Sequence, residues 1–329
     1  MSADQPPREI VVGNLSLSPP LALAPMVGLS HSALRSLVLE EGGIGLLFTE
    51  MLAAKKLPEE SCCSPFLMRT KLEYPLFYQL FLTDIEAIVP AVERLHGLEA
   101  QGVDLNLGCP APQLRRLGAG VFLTSDPDRV RVLLRTLRKA TSLPVSAKIR
   151  LGENLDNEKL IDFCRMLEGE GVDLLTVHGR MNDEKFCRKP RWECIAPVKA
   201  ALGIPIIANG GIFSVEDARK CLQLSGADGL MLGRGAACYP WLFADIAREV
   251  YGLAVPGSGR DRREVYFRFY DLLQERFAEE RRLGRLKQFT HYYGGNFQFG
   301  HHLATAVQKS NSLAEALERA TEFFQQPAY

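Results

Sequence analysis

The residues with the greatest chemical reach stand at the ends of short apolar runs. Asn106-Leu107-Gly108-Cys109-Pro110 puts a thiol on a turn shaped by glycine and proline, directly after the run Val103–Leu107. Most cysteines are small inert hydrophobes. A free thiol, with a pKa of about 8.5, is mostly protonated at neutral pH and can act as proton donor or nucleophile. Lys148 with Arg150 and His178 with Arg180 close two later runs. A lone histidine there is more often a satisfied core residue. A lysine is harder to dismiss, because an unpaired buried ammonium is costly. Facing an anionic ring system such as a reduced flavin, both are favourable donors. Asn209-Gly210-Gly211 and Gly233-Arg234-Gly235 end the last two runs, while Ala24-Pro25-Met26 and Gln79 hold the matching places earlier in the chain. Glycines let backbone N–H groups approach an anion, and Arg234 adds a charge-assisted contact. Tight turns alone explain either glycine loop; the two in succession favour phosphate.

These residues need a frame. Apolar runs recur at Leu21–Ala24, Leu46–Met51, Tyr74–Leu80, Val103–Leu107, Val145–Ile149, Leu174–Val177, Ile204–Ala208 and Leu230–Leu232. Each is too short for a helix and is followed by a helical pattern. Unbroken apolar character suits strands covered on both faces. Eight such units predict an α/β fold, a TIM (β/α)8 barrel of about 240 residues with ligands at the C-terminal ends of its strands. An open doubly wound sheet is the rival and accounts less well for eight comparable units. Ser125-Asp126-Pro127 and Ser214 with Asp217 read as helix starts.

The runs stop after Gly252. AVPGSGRDRR is a charged Pro/Gly linker, and beyond it VYFRFYDLLQERFAEE, the stretch around Phe289–Tyr293 and SLAEALERATEFF carry helical spacing. The expected division is a catalytic barrel over 1–250 and a C-terminal helical-bundle domain over 251–329. Arg281, Arg282, Arg285 and Lys287 gather beside Tyr292 and Tyr293, either as a solvated helix end or as a phosphate-contacting patch. The 329 residues carry 39 Lys+Arg against 39 Asp+Glu, which excludes a histone-like binder but not a local basic face. From Gly252 on, eleven basic residues face nine acidic ones, so any basic face is local.

The eight cysteines make no CxxC pair, so no metal site is expected, and they read as reduced thiols. Adjacent Cys62 and Cys63 receive no role. No HExxH, P-loop or strand-linked GxGxxG occurs. No signal pattern or membrane span is visible, so a soluble cytoplasmic protein is expected.

LAPMVGLSHSALR, FTEML, YQL, DLNLGCPAPQLRRLGAGVFL, AKIRLG, TVHGR, ANGGI and LGRGA follow one another across residues 20–240. In this order they resemble the flavin-dependent tRNA-dihydrouridine synthases of bacterial type. The resemblance implies a TIM barrel holding FMN at its mouth and a helical RNA-binding tail. It implies reduction of the carbon 5–carbon 6 double bond of particular uridines in tRNA, with NADPH reducing the flavin. Cys109 is then the acid that protonates carbon 5 while flavin N5 delivers hydride to carbon 6. Ala24, Pro25 and Met26 line the flavin ring, and Gln79, Lys148 and His178 donate to it. Asn209, Gly210, Gly211, Gly233 and Arg234 hold its phosphate. Asn106 orients the uracil, and Arg150, Arg180 and Phe186 face the substrate.

Three departures from the family pattern concern RNA positioning. Leu117 replaces a basic residue before the GxG segment. Met181 and Phe186 stand where Thr and Tyr are usual. Phe299 is followed by Gly300, His301 and His302 instead of Arg. They keep ribosomal RNA open as a target. The other alternative is a small-molecule FMN barrel oxidoreductase of dihydroorotate or dihydropyrimidine type. The tail separates these readings: truncation after Gly252 is expected to abolish action on RNA and spare action on a free base. Monomer is the favoured state.

Overall fold

The computed structural model describes residues 6–61 and 63–325, so Cys62 lies outside the described residues. Eight parallel strands make the barrel: β1 (Leu21–Leu23), β2 (Leu47–Phe48), β3 (Leu76–Phe81), β4 (Gly102–Leu107), β5 (Val145–Arg150), β6 (Leu174–His178), β7 (Ile206–Asn209) and β8 (Gly229–Leu232). Each pairs with the next from β2 to β8, and β8 returns to β1 through Leu230 opposite Leu21. A single bridge, Ala22 to Leu46, closes the ring between β1 and β2. The expected TIM barrel is thus the observed fold.

Alternation explains what fills it. An antiparallel hairpin, Ile10–Val12 with Leu15–Leu17, brings Ile10, Val12 and Leu17 against Ala22, Leu46, Phe48, Phe77, Leu174 and Ile207. Leu, Val and Ile on the other strand faces pack against the surrounding helices in a second, larger core. Helix starts follow the sequence signals. Asp126 accepts the Arg129 N–H at 3.0 Å with Pro127 opening the helix. Ser214 accepts the Asp217 N–H at 3.0 Å, while the Asp217 carboxylate takes Phe213 N–H instead of the cap's own.

Three expectations change in detail. The run Leu46–Met51 is broken: β2 ends at Phe48, and Leu52–Ala53 pairs separately with β3. The linker over 252–261 lacks regular structure but is tied down, with Arg260 reaching Glu40 at 2.8 Å and Ser258 donating to Glu41 at 2.6 Å. Among the described residues the tail holds four α-helices instead of three: Arg262–Arg276, Arg282–Tyr293, Gly300–Lys309 and Leu313–Gln325. Their core is aromatic. Phe269 stacks on Phe289 at 3.8 Å, and Phe289 on Tyr293 at 4.9 Å. Arg268 fixes the first tail helix to the Ser32–Glu41 helix through Glu40 at 2.7 Å. Among the described residues no helix is long and apolar enough to cross a membrane.

Candidate active site

Because the pleat alternates, Gln79 on β3, Asp104 and Asn106 on β4, Ser146, Lys148 and Arg150 on β5, Thr176 and His178 on β6 and Asn209 on β7 share the inner face. The register places them side by side: Gln79 opposite Asp104, Asn106 opposite Lys148, Arg150 opposite His178, and His178 opposite Asn209. The sequence reading placed several of them just past the strands. Arg150, His178 and Asn209 are instead the final residues of β5, β6 and β7.

A chain of hydrogen bonds runs up this face to Cys109. Ser146 Oγ donates to Asp104 at 2.5 Å, and Gln79 Nε2 donates to the other Asp104 oxygen at 2.6 Å. Asn106 Nδ2 donates to Gln79 Oε1 at 2.8 Å. Asn106 Oδ1 then accepts the N–H groups of Cys109 at 3.0 Å and Gly108 at 3.3 Å. The carbonyl of Cys109 takes the Val121 N–H at 3.1 Å. A side chain at Gly120, whose φ is +62°, would meet that carbonyl at 2.6 Å, which is why the GxG segment needs its second glycine.

Burial shapes the charges. It pushes the Asp104 carboxyl up to about 6, against the bonds from Ser146 and Gln79 and the charge of Lys148. It pushes Lys148 down to about 8, helped by Arg150 and opposed by Asp104 and Cys109. Burial, and then four neighbouring cations, drive His178 well below its usual value. Its ring is therefore neutral. Nε2 lies 3.0 Å from Arg180 Nη1, an obligate donor, so the ring proton sits on Nδ1. Gly210 makes room for this ring: an added Cβ would lie 2.5 Å from His178 Cδ2.

Arg150 and Arg180 have partners of their own. Arg150 donates to the carbonyls of Met181 at 2.7 Å and Glu184 at 3.0 Å. Arg180 donates to the carbonyls of Phe186 and Arg188. The two arginines hold the 181–188 loop, and the Glu184–Arg191 pair at 2.6 Å closes it. The loop presents Phe186, 54% exposed, with Arg234 4.7 Å from its ring and Arg150 and Arg180 each at 5.9 Å.

Every residue that the resemblance assigns to acid, flavin or uracil lines one cleft of about 300 Å³: Cys109, Ala24, Pro25, Met26, Gln79, Asn106, Lys148, Arg150, His178, Arg180, Phe186, Asn209, Gly210, Gly211, Gly233 and Arg234. No Asp or Glu is among its lining residues. This chain matches the model of the family described as dihydrouridine synthase over residues 22–327. The chain belongs to the dihydrouridine synthase family. It is 34% identical to a probable tRNA-dihydrouridine synthase 1 of Synechocystis over 73% of this chain and 67% of that one. It is 33% identical to tRNA-dihydrouridine synthase B of Vibrio cholerae, over 74% and 76%. A probable tRNA-dihydrouridine synthase of Rickettsia typhi is 29% identical over 96% of this chain and 97% of that one. A 2-naphthoyl-CoA reductase structure superposes with a TM-score of 0.57 at 14% identity, covering 80% of this chain and 55% of that one, a likeness of fold.

In this family member, sequence reasoning missed two contributors, Asp104 and Gln288, and set a third, Tyr292, beside the basic cluster of the tail and not in the cleft. Asp104 anchors the hydrogen-bond chain, and its signal was the alternation Val103-Asp104-Leu105-Asn106-Leu107. Gln288 and Tyr292, from the Arg282–Tyr293 helix, form part of the cleft wall. Their spacing with Arg285 marks one helix face. The basic cluster beside them divides. Arg282 donates to the carbonyls of Phe277 at 2.6 Å and Gln274 at 3.2 Å, ending the preceding helix. Arg285 lies 4.2 Å over the Phe277 ring, and Arg281 stays exposed.

Proposed function

We propose that this protein is a flavin-dependent reductase that converts uridine in tRNA to dihydrouridine. The observation that carries the reading is the cleft itself, where a thiol and four cations, Lys148, Arg150, Arg180 and Arg234, meet without a carboxylate.

These residues fit FMN. Ala24, Pro25 and Met26 offer an apolar face for a ring. The Lys148 ammonium makes no hydrogen bond among the described residues, so a donor is spare at the strand end. An added Cβ at Gly233 would fill space 3.4 Å from Met26 Sδ and 3.6 Å from Ala24 Cβ. Asn209, Gly210, Gly211, Gly233 and Arg234 would hold the phosphate. Lys148, His178 through Nδ1–H and Gln79 through its remaining N–H would serve the ring.

When bound, the flavin supplies the hydride that no side chain can provide, with NADPH as its reductant. Cys109 supplies the proton for carbon 5 from the thiol. Asn106 holds the Cys109 turn and orients the uracil. A stacked uridine must turn out of its helix to enter so narrow a cleft. Phe186 offers it a stacking face, and Arg150 and Arg180 stiffen the loop beneath. The division at about residue 250, with the helical tail binding RNA, belongs to this reading.

The test is the purified protein loaded with FMN and given NADPH with, in parallel, tRNA or ribosomal RNA from a strain lacking the gene, or a free pyrimidine. Dihydrouridine in that tRNA is the expected product. Reduction of a free pyrimidine alone would establish the small-molecule reading. Product in ribosomal RNA alone would move the substrate there.

A further inference from the structure

The Ala24–Leu29 segment carries the cleft's apolar face, and it is gripped from two directions. Ser30 Oγ accepts the Met26 N–H at 2.8 Å and donates to the Met26 carbonyl at 3.1 Å. The next residues, Val27 and Gly28, are held from outside the segment. Gly28 N–H donates to Glu50 Oε2 at 2.5 Å. Gln288, on the tail helix, donates from Nε2 to the Val27 carbonyl at 3.3 Å. An added Cβ at Gly28, φ +77°, would collide with the Gln288 side-chain amide, so barrel and tail touch here without slack.

Glu50 is an odd residue to find there. It sits where β2 breaks, it is 3% exposed, and its second oxygen has no hydrogen bond among the described residues. A buried carboxylate oxygen left without a hydrogen bond is costly. The charges acting on it are Arg35 from the barrel and Arg285 from the tail. Arg285 stands one turn before Gln288, with its own buried Nε unpartnered among the described residues. His31, between the Phe269 and Phe277 rings of the tail at 6.0 and 5.1 Å, completes the seam as a neutral ring.

We propose that Glu50 and Gln288 are positioning residues that hold the Pro25–Gly28 loop for the flavin, so that the helical tail is part of the cofactor site and not only a handle for RNA. The inference rests on the flavin reading above. It replaces the expectation that truncation after Gly252 spares chemistry on a free base: loss of the tail removes Gln288 and Tyr292 from the cleft and Arg285 from Glu50.

The experiment uses the full chain, stripped of flavin and titrated with FMN by fluorescence quenching. Glu50→Ala is expected to weaken FMN binding about tenfold or more, and Gln288→Ala about threefold, on the scale of charged and neutral hydrogen bonds. Glu50→Gln keeps an acceptor for Gly28 N–H and is expected to restore affinity to within about threefold. The visible circular dichroism of bound FMN should change in the Ala variants and return in Glu50→Gln, which a loss of general stability would not produce. Should Glu50→Ala fail to fold, Gln288→Ala and Glu50→Gln still decide. Wild-type FMN affinity and dichroism in both Gln288→Ala and Glu50→Ala, or in Gln288→Ala alone if the other does not fold, would overturn the inference while leaving the flavin reading intact. A wild-type chain that takes up no FMN would overturn both.

Discussion

The two ends of the barrel interior are built on the same strands, yet they obey opposite rules. At the N-terminal end Ala22, Leu46, Phe48, Phe77, Leu174 and Ile207 meet the Ile10–Leu17 hairpin in a dry cluster. One or two inward positions further along, the same faces carry Gln79, Asn106, Lys148, Arg150, His178 and Asn209. The apolar end gains stability for every methylene buried. The polar end works against folding: burial pushes Asp104 up and Lys148 down, each towards its neutral form. Charges kept in so unfavourable a place are there for a ligand, and the apolar end offsets what they cost. The chain separates stability from chemistry by moving a few residues along each strand.

The sharpest way to break that separation is at Cys109. Cys109→Ala should retain FMN and lose turnover on tRNA by about 10²–10⁴-fold, the range for a positioned acid. Steady-state assays on flavin-loaded protein read this, and unchanged turnover would place the acid elsewhere. At the other end, Phe77→Ala should destabilise by about 3–5 kcal/mol in denaturant melts. Turnover per folded, flavin-loaded molecule should stay the same.

Asp104→Asn tests the buried charge. Its carboxyl is raised, so between about pH 4 and 6 the native state keeps a proton that the unfolded chain has released. Its contribution to stability is full below that window and falls as pH rises through it. Wild type minus Asp104→Asn should therefore lose on the order of 2–3 kcal/mol from pH 4 to 7. Equal slopes in the two proteins would show that Asp104 is not resisting ionisation. Lys148→Met should gain about 1–2 kcal/mol of stability at pH 7, by removing a disfavoured ammonium, while FMN affinity falls. A stability loss together with full FMN affinity would reverse the assigned trade. The smallest effect is expected at Phe186→Ala. Stability should stay within about 0.5 kcal/mol, and RNA binding should weaken by about 1 kcal/mol in filter-binding titrations.

The barrel was legible because eight buried strands announce themselves as apolar runs, and the cleft because polar residues interrupt those runs at one end only. Strand limits were less so. Arg150, His178 and Asn209 fell just past the apolar runs, since a polar side chain inside a barrel resembles one past the strand's end. The break after Phe48 was hidden for a different reason. Thr49 still gives its N–H to the Phe77 carbonyl at 3.0 Å, but its side chain takes the next place in the ladder, Oγ1 accepting Gln79 N–H at 3.1 Å, and Glu50 turns away to accept Gly28 N–H. Gln288 shared only a helix face with Arg285 and Tyr292, and its partner Val27 lies 261 residues earlier. Positions that depend on the pleat are written in local pattern. Contacts between barrel and tail depend on packing that no window of sequence contains.

The central claim is that this cleft makes dihydrouridine and that Cys109 is its acid. The most direct measurement maps dihydrouridine across total RNA in a strain lacking the gene, complemented with wild type or with Cys109→Ala at equal protein level. The account predicts sites in tRNA that vanish in the deletion, return with wild type and stay absent, or nearly so, with Cys109→Ala. An unchanged map in the deletion strain, or full restoration by Cys109→Ala, would contradict it.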